Sequence, residues 1–493
     1  MDTKKVRKTL VKSAAEDIAM ILPLVFVSAA VLLVFSSSTS PLYPYNYGID
    51  SAFNRFVGLN LLRGKTLYRD IWDHKGPLLF LIQAVGAIGG TRNTGPSMIF
   101  FLQLFSLTFS LFFIWKSFLL IVKEKKKAVL LFFICLLPSL MAFSKTIEGG
   151  NLNEEWCLPF ISCGLYFSLR YDCSGNVRHP FLFAFIPGIS CGAITFVRVN
   201  NAIPVCCAAA AAAVYSARKD GAKSILRNIL FFAAGFMVPA VPVIVFFAVN
   251  GTLGEMIYAA FLHNLKYMGS VTHISLNREG LVLRHIPLFS AAALISASFL
   301  RNKNADPADM ILSAAAVGTG LMLAYSNTYL HYFTIFIPVF ALICMKHIRV
   351  ETRRGKFCAA AMILIFSGVY IRELPGRIDR PVYTYVSTIP KEEKNSMIAI
   401  WTSPEIYLNS GLMPVSRFSS YQNKYFPVNG EMKEEFISDI LEKEPLRIMV
   451  QSGRVYDLYP EIRELIGNCY EFEQRDGDAD IYRKTCSSET QPD

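Results

Sequence analysis

Long apolar runs recur along most of this 493-residue chain, and short stretches rich in lysine and arginine separate them. A helix needs about 20 apolar residues to cross a membrane, and several of the runs approach or reach that length. Only 18% of the residues are charged, against about 25% in an ordinary soluble chain. The pattern predicts a polytopic α-helical membrane protein and argues against a soluble enzyme of two or three domains.

The net charge divides into two parts of opposite sign. From Arg372 to the end there are 15 Lys+Arg against 21 Asp+Glu, whereas the first 371 residues carry 34 against 17. Basic residues between apolar spans are typical of cytoplasmic loops. The basic excess therefore indicates membrane topology, and it excludes DNA or RNA as the partner.

The first apolar run, from Ile18 to Phe35, follows five basic residues. That order fits a signal peptide cleaved near residues 36–40, but many apolar runs follow, so we interpret it as an uncleaved first span with a cytoplasmic amino terminus. The run Pro77–Gly90 is too short to cross the membrane. If it is an interfacial or re-entrant helix, every basic loop lies inside.

This assignment predicts about eleven spans followed by a tail on the outer side. The spans lie near residues 18–36, 97–122, 128–145, 157–170, 181–198, 201–217, 229–249, 286–300, 310–324, 333–345 and 357–371. We therefore expect a membrane domain over residues 1–371 and an extracytoplasmic domain over residues 372–493. Strand-like and helical stretches alternate in the tail, which predicts a small α/β domain.

The end of the tail carries a hairpin signal. The turn 476–479, Asp-Gly-Asp-Ala, joins two strand-like stretches, and Asp-Gly is a frequent hairpin turn. Pairing about this turn places Tyr470 near Thr485 and Cys469 near Cys486. The two cysteines form either a disulfide, which an oxidising outer compartment would favour, or two free thiols.

The first predicted outer loop begins with a short amphipathic helix near residues 47–64. Phe53 and Phe56 share its apolar face, and Gly64 supplies a stop. Asp50 lies where the N-cap is expected, so capping is one interpretation of this acid. The other is a carboxylate that the helix holds at the membrane face, able to take a proton from a substrate hydroxyl.

Four ionisable residues follow within six positions, just before an apolar helix: Asp70, Asp73, His74 and Lys75. One interpretation is an interfacial anchor, because lysine and the neighbouring aromatic residues favour headgroup depth. The other is an anion site, in which Lys75 and His74 hold a phosphate near the positive end of the helix dipole. The residues alone leave both interpretations open.

These residues also carry a family resemblance. Asp50 after the first span, followed by Gly-Lys-Thr-Leu-Tyr-Arg-Asp-Ile-Trp-Asp-His-Lys-Gly-Pro-Leu over residues 64–78, resembles the GT-C integral-membrane glycosyltransferases of the protein-O-mannosyltransferase and aminoarabinose-transferase type. Weaker similarities lie in residues 148–155, 331–332, 401–407 and 416–418. The second acid that usually follows the first in the family is Ser51 here.

The resemblance implies inverting transfer of a sugar from a polyprenyl-phosphate donor to an acceptor hydroxyl, on the outer face of a bacterial plasma membrane. Asp50 matches the catalytic base of the family. A leaving phosphate needs cations to balance its charge, and the candidate ligands are His74, Lys75, Arg198, Arg278 and His331. The candidates for positioning the substrate are Asp70, Asp73, Glu154 and Glu155. Whether a divalent metal takes part stays open.

Several of these residues also have a structural interpretation. Arg198 can snorkel to the interface, Arg278 can be solvated in its loop, the pair Glu154 and Glu155 can face water, and His331 can cap a span. The whole protein has two alternatives as well: a transporter or lipid flippase, and a non-catalytic scaffold. The donor sugar stays open, as does the nature of the acceptor, which is a glycan, a lipid or a protein.

Overall fold

The structure is a computed structural model, and it describes residues 3–43, 48–88, 97–122, 128–174, 181–270, 286–292, 306–324, 329–347, 353–373, 383–394 and 396–486. The chain forms two compact units. The helical unit consists of residues 1–42, 100–246 and 273–376, and the mixed unit of residues 43–99, 247–272 and 377–493. The domain division predicted at residue 371 stays a prediction, because compactness does not show which segments fold alone.

Helices make up most of the described chain. In chain order they are α1 (Thr3–Phe35), α2 (Ile49–Leu62), α3 (Pro77–Ala87), α4 (Met98–Ile121), α5 (Ala128–Thr146), α6 (Asn153–Ser174), α7 (Leu182–Thr195), α8 (Ile203–Asp220), α9 (Lys223–Val249), α10 (Leu253–Ile257), α11 (His263–Ser270), α12 (Pro307–Ala324), α13 (Ile337–His347), α14 (Arg353–Glu373), α15 (Tyr385–Thr388), α16 (Glu405–Ser410), α17 (Gln422–Tyr425), α18 (Gly430–Lys443) and α19 (Pro460–Cys469).

Six helical segments of the described chain are long and apolar enough to cross a membrane: Ala15–Phe35, Met98–Ile121, Ala128–Thr146, Val199–Asp220, Lys223–Val249 and Pro307–Ala324. They coincide with six of the predicted spans and confirm the polytopic α-helical class. The spans predicted at 157–170, 181–198, 333–345 and 357–371 lie in helices that do not meet this criterion, and they stay predictions. Most of the span predicted at 286–300 lies outside the described residues.

Two helices of the helical unit, α7 and α9, approach each other closely through glycines. A Cβ added at Gly188 would overlap the backbone of Phe232, and one added at Gly235 would overlap the backbone of Phe185. Small residues allow this approach in membrane helices, where packing between surfaces holds the helices together. A larger side chain at either glycine would force the two helices apart.

The tail contains the predicted α/β fold. Its strands are β1 (Met397–Ile400), β2 (Arg447–Gln451), β3 (Tyr470–Asp476) and β4 (Ala479–Lys484), in the sheet order β1-β2-β4-β3. β1 and β2 are parallel, and the other two pairings are antiparallel. β1 and β2 are almost entirely buried, as is the first half of β4, which explains their apolar runs.

The predicted hairpin is confirmed, but its register is shifted by one residue. Tyr470 pairs with Lys484 and not with Thr485, because the pairing slips between Phe472 and Gln474. An extra residue in one strand of an antiparallel pair produces such a shift, and neither strand marks it in its sequence. Of the two alternatives for the cysteines, the structure has free thiols at positions 469 and 486.

In the mixed unit, α3 packs against α2 at Gly58, where an added Cβ would overlap the backbone of Gln83. Phe53 and Phe56 are buried on α2, and Gly64 follows the helix with a φ of 84°, as the sequence predicts. With 11 residues, α3 is too short to cross a membrane. Its placement at the interface stays a prediction.

Candidate active site

Asp50 lies in the first turn of α2 and not at its N-cap, so the capping interpretation is wrong. The helix begins at Ile49, and the N-cap is Gly48, whose φ of 69° suits glycine. The Asp50 carboxylate instead accepts a hydrogen bond from the hydroxyl of Tyr421 at 2.8 Å. Its side chain is 38% exposed, so the carboxylate is accessible from outside the protein.

Lys75 places its ammonium group between two carboxylates. Nζ lies 3.6 Å from Asp50 and 3.5 Å from Asp73, and the lysine side chain is only 4% exposed. The rings of Phe53 and Tyr421 lie 5.7 and 5.4 Å from Nζ, within reach of a cation–π interaction. A buried ammonium group needs such partners, because burial alone disfavours the charged form. The fold thus joins two predicted site residues, Asp50 and Lys75.

Asp73 is fully buried beneath this pair. It accepts hydrogen bonds from the backbone N–H of Lys75 at 2.7 Å and from the hydroxyl of Tyr425 at 3.3 Å. Desolvation is the largest effect on this carboxyl and raises its pKa, although Lys75 opposes the shift. Asp73 therefore supports Lys75 from inside the protein, and its predicted role in positioning a substrate stays a prediction.

His74 and Lys75 immediately precede α3, as the anion-site interpretation requires, but both have protein partners. The Nδ1 atom of His74 lies 2.8 Å from the hydroxyl of Tyr425, and its backbone carbonyl accepts a hydrogen bond from Asn264 at 2.8 Å. Gly76 and Pro77 then start the helix, where proline fits because it lacks an N–H.

Asp70 belongs to a separate local turn. Its carboxylate accepts hydrogen bonds from the backbone N–H of Thr66 at 2.7 Å and from Arg69 at 3.2 Å. These bonds and the arginine charge lower its pKa against the effect of burial. The structure therefore gives Asp70 a role in the turn and does not bring it to Asp50 or Lys75 through any described hydrogen bond or ion pair.

Three residues of this cluster were missed by the sequence interpretation. Tyr421 and Tyr425 come from the tail, more than 300 positions from the residues they contact. His263 is buried at the start of α11, and its ring lies 4.9 Å from that of Trp72 and 5.6 Å from that of Tyr425. Neither ring nitrogen of His263 has a hydrogen-bond partner within the described residues. No local pattern marks these three residues.

The helical unit holds a second group of predicted residues, around Arg198. The guanidinium donates to Glu154 and to the hydroxyl of Tyr332, each at 2.8 Å, and it lies 4.6 Å from the ring of Tyr332. Arg198 has an extended backbone just before the 3₁₀ turn Val199–Ala202. Its fork-shaped group therefore bridges two segments, which a lysine would not do as well.

His331 contacts Glu148 in the same unit. The backbone N–H of His331 donates to the Glu148 carboxylate at 3.2 Å, and its ring Nδ1 makes a short contact with the same oxygen. Glu148 has a φ of 43°, which is unusual for a residue with a side chain. The structure thus pairs His331 with an acid that the sequence interpretation noted only as part of a weak similarity.

The remaining predictions concern one candidate phosphate ligand, Arg278, and a possible metal ion. Arg278 lies outside the described residues. Within the described part of the chain, no group of three or more His, Cys, Asp or Glu side chains is placed to hold a metal ion.

The family model of the competence-induced protein Ccs4 N-terminal domain matches residues 11–358, more than two thirds of the chain. The chain belongs to this family. No curated protein sequence matches this member of the Ccs4 family.

A solved structure is similar to the Ccs4-family chain over nearly its whole length. It is the crystal structure of ArnT from Cupriavidus metallidurans bound to undecaprenyl phosphate. The match covers 97% of this chain and 98% of that chain, with a TM-score of 0.63 and 12% sequence identity. The likeness confirms a GT-C-like membrane fold, as the sequence resemblance predicts. At this identity it shows the fold alone.

Proposed function

We propose that this Ccs4-family protein is a GT-C glycosyltransferase. It moves a sugar from a polyprenyl-phosphate donor to an acceptor hydroxyl, with inversion, and Asp50 is the base. The observation that carries the proposal is the half-buried, accessible Asp50 carboxylate, held 2.8 Å from Tyr421 and 3.6 Å from Lys75. The GT-C-like fold supports it, because the similar ArnT structure contains undecaprenyl phosphate.

The chemistry needs few groups. A lipid phosphate has a second pKa of about 6, so it leaves readily once cations balance its charge. The acceptor hydroxyl needs one base within hydrogen-bond reach, and inversion requires that base and the leaving group lie on opposite faces of the sugar. Asp50 supplies an accessible base, and the adjacent Lys75 supplies positive charge.

The other predicted roles stay proposals. His74, Arg198, Arg278 and His331 are proposed to bind the donor phosphate, and Glu154 to position a substrate. For Arg198 the supporting observation is a guanidinium held by Glu154 and Tyr332 at the ends of helices. We also propose that the protein lies in the bacterial plasma membrane with its amino terminus inside and its tail outside. Reporter fusions at both termini test that topology.

The test of the proposed function compares Asp50→Asn with Asp457→Asn. Asp457 is an exposed acid of the tail that pairs with Arg454. The purified variants are offered a panel of polyprenyl-phosphate sugars, and donor consumption is measured. Because a positioned base contributes about 10²–10⁴ in rate, we expect Asp50→Asn to lose at least 100-fold in kcat and Asp457→Asn to retain the wild-type rate.

The melting temperature of Asp50→Asn is the control that separates a lost base from a lost fold. Asparagine can still accept the hydrogen bond from Tyr421, and Asp73 still pairs with Lys75, so Asp50→Asn should remain folded, with a cooperative melting transition. A folded Asp50→Asn protein that transfers sugar at the normal rate would refute the role of Asp50. If instead no donor is consumed and vesicles lacking acceptor show lipid or solute flux, the protein is a transporter or flippase.

A further inference from the structure

Two adjacent glutamates at the start of α6 have very different surroundings. Glu154 is 1% exposed; one of its oxygens accepts from Arg198 at 2.8 Å, and the other is buried and has no hydrogen-bond partner in the described part of the chain. Glu155 is 3% exposed, and both of its oxygens accept hydrogen bonds. One bond comes from the side-chain amide of Gln103 at 2.8 Å and one from the backbone N–H of Asn151 at 2.7 Å.

The donors to Glu155 are themselves held in place. The carbonyl oxygen of the Gln103 side chain accepts a hydrogen bond from the hydroxyl of Thr39. The hydroxyl of Ser36 lies within hydrogen-bond distance of both the oxygen and the nitrogen of the same amide. Because a carboxylate can only accept hydrogen bonds, the NH₂ group of this amide faces Glu155, and its oxygen faces the hydroxyl of Thr39, which can donate. The network is therefore satisfied from the end of α1 through α4 to α6, as buried polar groups require.

Glu155 holds a backbone segment of unusual conformation. The four residues 148–151 all have positive φ, at 43°, 90°, 81° and 62°. For residues with a side chain this conformation is disfavoured, and it persists only where the surroundings determine it. Here the backbone N–H of Ser38 donates a hydrogen bond to the carbonyl of Gly149 at 2.8 Å. Gly150 packs on Ser36 without room for a Cβ. The carboxylate of Glu155 accepts a hydrogen bond from the backbone N–H of Asn151.

This segment contains one acid that contacts a proposed site residue and leads to a second. Its first residue, Glu148, contacts the backbone and ring of His331. Its last residue leads directly into α6, where Glu154 meets Arg198. A change at Glu155 would therefore move both acids, and both oxygens of Glu155 already accept hydrogen bonds from within the protein.

We infer that Glu155 is a positioning residue, which holds the left-handed segment 148–151 and through it places Glu148 and Glu154. It does not bind substrate, in contrast to the role expected from the sequence. Glu154, with one buried oxygen lacking a partner in the described chain, is the glutamate that meets a hydrogen-bond donor of the substrate. The inference deepens the proposed function and rests on it for the role of Glu154.

The test compares three variants of the full-length protein: Glu155→Gln, Glu154→Gln, and the double variant Glu155→Gln with Gln103→Glu. In Glu155→Gln, an NH₂ group meets another N–H donor, so the segment should loosen. In the double variant the carboxylate has moved across the same hydrogen bond. The new carboxylate at position 103 then accepts from Thr39 and from the new amide at position 155, while the carbonyl of that amide accepts from Asn151.

Hydrogen exchange of the peptide over residues 147–152 is the main readout, with kcat and KM as the second. We expect Glu155→Gln to raise the exchange rate at least tenfold and to lower kcat/KM, and the double variant to restore both. Glu154→Gln should leave the exchange unchanged while kcat/KM falls. The exchange does not depend on turnover, so it decides the role of Glu155 even if the proposed function fails.

Two results would overturn the inference. One is a Glu155→Gln protein with unchanged exchange and lost activity, since that pattern indicates direct contact with a substrate. The other is a double variant that fails to restore the slow exchange, or a double variant that does not fold when Glu155→Gln does not fold either. In both cases the hydrogen-bond network would not be what Glu155 provides.

Discussion

The buried imidazole of His263 should make the stability of this protein depend on pH. Its ring is surrounded by Trp72, Tyr425 and Tyr258, and neither nitrogen has a hydrogen-bond partner among the described residues. Burial, with a smaller effect from Lys266, lowers its pKa to about 4, against about 6.5 in an unfolded chain. The folded state therefore holds this histidine neutral, while the unfolded state takes up a proton in mild acid.

The magnitude follows from the two pKa values. The stability from the neutral imidazole is fully present above the unfolded pKa of about 6.5, and it is lost as the pH falls toward the folded value of about 4. Between pH 7.5 and pH 5.0, this one group lowers the free energy of unfolding by about 2 kcal/mol. For a domain of roughly 150–250 residues, 1 kcal/mol corresponds to roughly 2–4 °C in melting temperature.

The perturbation is His263→Phe, which keeps a planar ring and removes the titrating group. Melting temperatures of the detergent-purified wild type and variant are measured at pH 7.5 and pH 5.0 by intrinsic fluorescence. The wild type should lose at least about 4 °C more than the variant between the two values. Phenylalanine is larger than histidine, so His263→Leu serves as a second variant. Equal losses in all three proteins would refute the reasoning.

Two further predictions concern packing. In Gly188→Leu the new side chain would overlap the backbone of Phe232 between α7 and α9, so we expect a loss of about 3 kcal/mol or more and a lower melting temperature. Gly368→Ala is the control, because an added Cβ there meets nothing within 4 Å; similar melting temperatures for both variants would contradict the packing argument. Arg417 donates to the carbonyl of Tyr68 at 3.1 Å and to Glu435 at 2.6 Å. Arg417→Ala should therefore speed hydrogen exchange over residues 66–72, and unchanged exchange would show that this arginine does not hold the turn.

Much of the fold could be predicted from the sequence, because its determinants are local. Six predicted spans coincide with apolar helices, since hydropathy is a property of some 20 consecutive residues. The strands and helices of the tail could be predicted as well, since alternation and turn residues act over a few positions. The one-residue shift in the last hairpin was missed, because a β-bulge is set by pairing between strands and leaves no pattern in either.

The candidate site also has a part that could be predicted from the sequence and a part that could not. The motif over residues 64–78 and the acid at Asp50 could be found along the chain, because they lie close together in it. The sequence places Asp50 where an N-cap is expected, but Gly48, with a φ of 69°, occupies that position. The sequence leaves Lys75 as either an interfacial anchor or a cation for a phosphate, and only the structure shows that its ammonium group lies between the carboxylates of Asp50 and Asp73.

Composition, periodicity and short motifs are local properties, so the membrane class, the fold of the tail and the candidate acids and bases can be predicted from the chain alone. Which of these residues meet depends on how the chain packs. Tyr421 donates a hydrogen bond to Asp50, and Gln103 donates one to Glu155. Arg198 donates to both Glu154 and Tyr332. These contacts join residues tens to hundreds of positions apart. The packing of whole helices and strands sets such distances, and the identity of a residue's neighbours in the chain does not encode them.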